Sequence, residues 1–167
     1  MIKPENFLEF LKDRRTIRVY KNKMIPDDEI EMILEAGRFA PSASNRQEWK
    51  FIVIKDKAIL ENLSKTAIYG KFVRDAPLLI AITADTSENP NWYIQDTSLV
   101  SMNMMLMAWS LGIGTCWIGS MDRKKAKEIL NLGKKEFLLT ILPFGYYKEK
   151  PKTPPKKDLN DIVEIIE

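Results

Sequence analysis

Apolar and polar residues recur along the chain with the two spacings of regular secondary structure. Helical spacing after Pro26 and across residues 57–67 predicts two helices, the first of which must end before Pro41. Short apolar runs at 49–54, 77–83, 115–118 and 136–144 predict strands. Shorter helices are expected at 4–12 and 122–130, with an extended segment at 14–20 between the first two helices.

The segment from Trp92 to Leu111 is apolar on most sides, although it contains Gln95, Asp96 and Asn103. A buried helix explains these polar residues better than a membrane span does. A chain of 167 residues has little material with which to surround such a helix. This favours a homodimer that buries the helix against its twin, and the alternative is a central helix covered by its own sheet.

The end of the chain differs in composition from the rest. Residues 148–157 read KEKPKTPPKK, which predicts an extended connector, and apolar alternation resumes at 159–166. No internal repeat is visible. Separated helices and strands predict one α+β domain over residues 1–167.

Composition then limits the chemistry. The chain has 45% hydrophobic residues, 29% charged residues and a net charge of +3, as in an ordinary globular protein. It has no histidine, which excludes Ser-His-Asp and Cys-His catalysis and histidine-based zinc sites. Cys116 is the only cysteine and no signal-peptide pattern is present, so we expect a cytoplasmic protein without disulfide or metal. Difficult chemistry must come from Lys, Tyr, carboxylates or a bound cofactor.

Three arginines lie close together in the extended segment. Alternation places Arg14, Thr16 and Arg18 on one side and Arg15 on the other. Guanidinium groups with a hydroxyl between them could bind a phosphate, because guanidinium is planar and always charged. The alternative is a solvated basic strand edge.

A second polar cluster joins the helix that precedes Pro41 to the first strand. Its sequence, APSASNRQEW at residues 40–49, concentrates small and hydrogen-bonding side chains. Such a loop can approach a flat ligand with a polar rim, and the alternative is an ordinary turn that ends a helix.

These two motifs, RRTIR at 14–18 and APSASNRQEW, occur here in the order and spacing of the nitroreductase family. Two later segments, LGIGTCWIG at 111–119 and LPFGY at 142–146, also resemble that family, as does a basic pair before a Leu-rich tail. The resemblance spans residues 8–163. It implies a central, mostly antiparallel sheet flanked by helices, with a C-terminal strand or tail exchanged in a homodimer.

The resemblance also implies non-covalent FMN at the dimer interface and NADH or NADPH as reductant. The flavin would take a hydride and pass electrons to a nitroaromatic, a quinone or a similar small-molecule acceptor in a ping-pong cycle. No protein side chain would be catalytic, because N5 of the flavin carries the chemistry.

The family's flavin contacts can be carried over to this sequence in four groups. Residues 14–16 would contact the phosphate and ribityl chain, and Arg18 the pyrimidine edge. Residues 41–45 and Gln47 would come from the other subunit, residues 117–119 would lie along the ring, and Lys156 and Lys157 would approach the phosphate. Lys71 is a second candidate for charge at the pyrimidine edge, and the alternative is a solvated helix lysine. The full set is Arg14, Arg15, Thr16, Arg18, Pro41, Ser42, Ala43, Ser44, Asn45, Gln47, Lys71, Trp117, Ile118, Gly119, Lys156 and Lys157.

The chain departs from the family pattern at two positions. Glu48 stands where the family often has Pro, which could alter loop rigidity or substrate preference. Lys156 stands where Arg is frequent, which loses bidentate geometry. The chain also lacks the covering insertion of larger members, so an open pocket is expected.

Two other functions are weighed against a flavin reductase. A non-catalytic FMN-binding or flavin-delivery protein would share the phosphate site without needing access for a substrate. A nucleic-acid-binding module rests only on basic charge and KEKPKTPPKK, in which lysines are not interleaved with aromatic residues. We therefore expect no nucleic-acid partner and no membrane association.

Overall fold

The computed structural model describes residues 2–167, and within them it contains five α-helices and four β-strands. This confirms the α+β class. Short 3₁₀ turns occur at 43–45, 71–75 and 159–161. The helices are α1 (Pro4–Asp13), α2 (Asp27–Arg38), α3 (Lys57–Ser64), α4 (Tyr93–Ser110) and α5 (Arg123–Ile129), and the strands are β1 (Trp49–Ile54), β2 (Leu78–Asp85), β3 (Ile113–Thr115) and β4 (Glu136–Tyr146).

The four strands form one antiparallel sheet in the order β1-β2-β4-β3. Because side chains alternate along β2, Ile80 and Ile82 pack with α2 and α4 on one face of the sheet, whereas Leu79 and Ala81 pack with α3 and α5 on the other. Leu78 to Ala84 are all buried, as expected of a central strand covered on both faces.

Helix α4 is covered by its own chain on one side only. Val100, Met104 and Ala108 are fully buried against the sheet and α2, whereas Leu99 and Met102 remain 45% and 48% exposed. The alternative of a helix covered by its own sheet is therefore confirmed for one side of α4, and the homodimer stays a prediction. The other side presents apolar side chains that nothing within residues 2–167 covers.

The third strand differs from its prediction. We expected residues 115–118, but β3 is Ile113–Thr115, paired with Tyr146, Gly145 and Phe144 of β4. The next pair in this register would place Cys116 opposite Pro143, which has no N–H for the ladder, and the regular strand ends there. Residues 116–118 are thereby released into a loop at the sheet edge.

The remaining boundaries differ from prediction by a few residues at helix and strand ends. The largest difference is in α3, which ends at Ser64 and not at residue 67. Within residues 2–167, no helix combines the length and apolarity needed to cross a bilayer.

Candidate functional site

The arginine segment lies along the edge of the sheet beside β3. The N–H of Ile17 donates to the carbonyl of Thr115 at 2.8 Å, and Thr16 bridges Thr115 in parallel. Arg15 and Ile17 are buried, while Arg14 and Thr16 are partly exposed and Arg18 is exposed. The predicted alternation is therefore present, although only isolated bridges tie the segment to the sheet.

Arg15 is held on the inward side of the segment. Its Nη1 donates to the carbonyl of Lys12 at 2.6 Å and to that of Arg14 at 2.9 Å, and its Nη2 donates to Oγ1 of Thr153. Its Nε is buried and has no partner within residues 2–167. Arg15 thus connects the end of α1 to the C-terminal tail and keeps one unused donor.

Arg14 has less of its bonding capacity satisfied. Its Nη1 is buried and makes no hydrogen bond to the described residues. Burial, with the charge of Arg15, lowers the pKa of Arg14, whereas the nearby Cys116 acts in the opposite direction. The two neighbouring guanidinium groups leave this corner short of negative charge.

Cys116 lies beneath the same arginines. Burial raises the pKa of its thiol, while Arg18, by charge and hydrogen bond, and Arg14, by charge, pull it down. Its Sγ points to the carbonyl of Trp117 at 3.7 Å. The structure therefore brings Arg14 and Arg18 close to the start of the 116–119 loop.

The tail continues this cluster. Residues Thr16 to Val19 and Lys148 to Pro151 line a cleft of about 430 Å³. Thr153 contacts Arg15, and Lys156 lies three residues further on, within about 11 Å of chain length. Lys156 and Lys157 are exposed. They can reach the arginines, but the structure does not place them in contact.

Two further groups of predicted residues flank the cluster. Trp117 is 38% exposed, Ile118 is buried and Gly119 is exposed, so the loop presents one aromatic face to solvent. Lys71 is exposed and begins the 3₁₀ turn 71–75, whose Phe72 packs near Tyr20.

The loop after Pro41 has an unusual backbone. Ser44, Asn45 and Gln47 have φ angles of 55°, 53° and 52°, in the left-handed region that non-glycine residues seldom adopt. Ser42 stabilises the turn, since its carbonyl accepts the Asn45 N–H at 3.0 Å and its Oγ accepts the Gln47 N–H at 3.1 Å. The side chains of Ser44, Asn45 and Gln47 are exposed.

One buried carboxylate ties this loop to α4. The N–H of Ala43 donates to Oδ2 of Asp96 at 3.0 Å. Asn89 donates to the same oxygen at 3.0 Å and to Oε1 of Glu48 at 3.3 Å. All three of these polar side chains are buried.

The loop and the arginine segment lie at opposite ends of α4. Asp96, near the start of the helix, binds the loop, whereas Trp109, near its end, packs with Ile17 and Tyr20. Thirteen residues at the helical rise separate Asp96 from Trp109 by about 20 Å. Within one chain, the two predicted halves of the site are not brought together.

Sequence reasoning missed Asp96, Asn89 and Thr153 as residues that position the site. Asp96 had a visible signal, because it is the only acidic residue in the otherwise uncharged helix α4. Asn89 and Thr153 lie in polar segments where nothing in the local pattern distinguishes them.

Comparison with known proteins identifies the family of this chain. The sequence profile of the nitroreductase family matches residues 11–68 and 63–146. A protein from Methanothermobacter thermautotrophicus, provisionally named an NADH dehydrogenase/NAD(P)H nitroreductase, is 35% identical over 92% of this chain and 82% of its own length. A similarly named protein from Archaeoglobus fulgidus is 35% identical over 87% of this chain and 88% of its own length.

Solved structures show the same fold. The FMN-dependent nitroreductase from Clostridium difficile superposes with a TM-score of 0.86 at 34% identity, over 95% of this chain and 98% of that chain. This confirms the predicted nitroreductase-like fold, with its antiparallel sheet between helices.

Proposed function

Since this chain belongs to the nitroreductase family, we propose that it is an FMN-dependent oxidoreductase that uses NADH or NADPH and works as a homodimer. The Clostridium difficile enzyme is FMN-dependent, and the two archaeal relatives are provisionally named for the use of NADH or NAD(P)H. Residues of this chain support both steps of the proposal, binding of the cofactor and formation of the dimer.

One observation carries the proposal: two buried guanidinium donors in the arginine segment have no partner among the residues that the structure describes. They are Nη1 of Arg14 and Nε of Arg15, which lie on consecutive residues. A buried charged donor without an acceptor is costly, and a phosphate would satisfy it with charge-assisted hydrogen bonds. The residues present therefore fit the phosphate of FMN, and Lys156 lies within reach as a further cation.

The exposed part of the cluster suits the rest of the cofactor. Arg18 supplies positive charge beside the cleft, and the indole of Trp117 supplies an exposed aromatic face. When bound, FMN takes a hydride from NADH or NADPH and passes electrons to a nitroaromatic, quinone or similar acceptor by a ping-pong mechanism. The protein's task is to bind, orient and supply charge, so the absence of histidine is no obstacle.

The proposed dimer follows from the separation of the two half-sites. A ligand that touches both the arginine segment and the 41–47 loop must meet them from two chains, because about 20 Å of α4 separates them in one chain. Each interface site would then contain Arg14 to Arg18 of one protomer and Pro41 to Gln47 of its partner.

Exposed apolar side chains support the same assembly. Leu99 and Met102 lie on the uncovered side of α4, where neighbouring helical turns place them together. The C-terminal tail is exposed throughout residues 151–167, and Ile165 and Ile166 are 77% and 90% exposed. Exposed apolar side chains that lie close together often mark a protein interface, so we propose that the two tails are exchanged across the dimer.

A steady-state assay distinguishes an enzyme from a flavin carrier. The FMN-loaded protein should oxidise NADH or NADPH only when menadione or nitrofurazone is added as acceptor, apart from slow reaction with oxygen. Parallel lines in double-reciprocal plots would indicate the ping-pong cycle. A protein that binds FMN but shows no acceptor-dependent turnover would be a flavin-binding or delivery protein.

A further inference from the structure

Glu48 and Asp96 form a pair of buried acids beneath the 42–47 loop. Their side chains are 5% and 4% exposed, and both accept hydrogen bonds from Asn89, whose own side chain is 4% exposed. The second oxygen of Glu48, Oε2, is buried without a partner among the described residues. Two adjacent carboxylates cannot both be ionised cheaply in such a site, because neither can be hydrated.

Protonation of Glu48 gives Oε2 a possible partner and avoids two adjacent buried negative charges. The unpartnered Oε2 becomes an O–H donor, and the carboxyl group of Asp96, which shares the Asn89 donor with Glu48, is an acceptor in the same buried site. Burial raises the pKa of Glu48, and the charge of Asp96 raises it further. Oδ2 of Asp96 accepts the Ala43 N–H in this arrangement.

The other charged side chains around the pair have partners elsewhere. Arg46 donates to the carbonyl of Glu88 at 2.5 Å, and Asp85 accepts from the N–H and the hydroxyl of Ser87 at 2.8 and 2.5 Å. On the neighbouring strands, Lys50 pairs with Glu136 at the surface. Asp96 is thus the charged group that faces Glu48.

The loop depends on this pair because its conformation is costly. Left-handed backbone is unfavourable for a residue other than glycine, and Ser44, Asn45 and Gln47 all adopt it. Most of the hydrogen bonds that hold the turn lie within the loop itself, whereas the bond from Ala43 to Asp96 fastens it to a buried helix.

We propose that Glu48 and Asp96 share one proton and that this proton makes them positioning residues, which hold the 42–47 loop in its flavin-binding conformation. The link to flavin binding rests on the proposed function, whereas the shared proton and its effect on the loop do not depend on it. Loss of the proton puts two negative charges side by side, their repulsion moves Asp96 away from Glu48, and the Ala43 N–H loses its acceptor.

The pair and the loop can be tested in the protein without cofactor. The carboxyl ¹³C signal of Glu48 and the amide signal of Ala43 are followed by NMR across a pH series. We expect Glu48 to titrate above its ordinary value of 4.5 and the Ala43 amide to shift with the same midpoint. Titration of Glu48 at or below 4.5, or an Ala43 amide that ignores it, overturns the proposal.

Two variants and a control sharpen the result. Glu48→Gln keeps a donor toward Asp96 but cannot ionise, so the step at Ala43 should disappear. Asp96→Asn removes the charge and keeps an oxygen for Ala43, so the midpoint of Glu48 should fall toward 4.5; an unchanged midpoint overturns the shared proton. Glu88→Gln changes an exposed acid of the neighbouring segment and serves as the control. In this variant the Ala43 amide signal should shift with pH as it does in the unmodified protein.

FMN affinity measured over the same pH series then tests the link to function. It should weaken as pH rises through the Glu48 midpoint and stay level in Glu48→Gln. If the Ala43 amide signal still shifts with pH but the FMN affinity does not change, the positioning role is overturned. If neither the unmodified protein nor any variant binds FMN at any pH, while the Ala43 amide signal still shifts with the Glu48 midpoint, the proposed function fails and the shared proton stands.

Discussion

A methyl group added to Gly114 would lie 2.3 Å from Cγ1 of Ile17. The arginine segment can approach β3 only because this position carries no side chain. Gly114→Ala should therefore push Ile17 outward, destabilise the protein by about 1–3 kcal/mol and weaken FMN binding at the neighbouring arginines. Chemical denaturation and a flavin titration measure the two effects.

Gly133→Ala is the matched control. The nearest atom to an added Cβ there is Oε2 of Glu136 at 3.5 Å, an ordinary contact in an exposed turn. It should leave flavin affinity unchanged. Equal FMN affinity in Gly114→Ala and the control would show that the close approach of Ile17 does not shape the site.

Tyr146 and Glu29 provide a pH-dependent link between β4 and α2. The phenol donates to Oε2 of Glu29 at 2.5 Å, which raises the pKa of Tyr146 from 10.0 to about 12. Because the folded-state pKa is raised, the stability that this bond contributes is present below pH 10 and is lost as pH rises toward about 12.

Glu29→Gln should bring the pKa of Tyr146 down toward 10.0 and lower the free energy of unfolding at neutral pH by about 1 kcal/mol. Tyrosinate absorbance, with Tyr146→Phe to assign the transition, measures the pKa. An unchanged high-pH transition in Glu29→Gln would refute the role of this hydrogen bond.

An acid on the uncovered side of α4 tests the proposed dimer. Leu99→Glu or Met102→Glu places a charge among apolar residues that are exposed in the single chain, so each protomer should still fold while the dimer is lost. Sedimentation should then show a monomer, and FMN binding should fall with it, because each site would need the loop of the partner.

Lys124→Glu serves as the control for that experiment. It introduces an acid on α5, which packs on the opposite face of the sheet from α4. It should sediment like the unmodified protein. If Leu99→Glu sediments as that control does and binds FMN equally well, the dimer is not formed through this side of α4.

Local patterns predicted most of the fold because the chain has strong periodicity and clear terminators. Local patterns predicted strands β1, β2 and β4 and the alternation of Arg14 to Arg18. They also predicted that the second helix ends before Pro41. The end of β3 could not, because it depends on its pairing with β4 opposite Pro143.

The site was predictable only in its separate parts. Sequence motifs identified the arginine segment and the 41–47 loop, but their separation along α4 depends on how the chain packs. The Glu48–Asp96 pair joins residues that are 48 positions apart, and nothing local in the sequence indicates that Asn89 bridges them.

The phosphate site is the most direct link between the structure and the proposed function. Arg14→Gln removes the charge of Arg14, whose buried Nη1 has no partner within residues 2–167, and should weaken FMN binding about 10- to 100-fold, the value of one charge-assisted hydrogen bond. Arg74→Gln, which removes an exposed arginine paired with Glu61 and Asp75, should leave the affinity unchanged.

A flavin titration of the purified protein, followed by addition of NADH or NADPH without oxygen, tests the central claim. The account predicts one FMN per chain, weaker binding in Arg14→Gln than in Arg74→Gln, and loss of the bound flavin's visible absorbance on adding either nucleotide. A protein that binds no FMN, or whose bound flavin keeps its absorbance with both nucleotides, would contradict it.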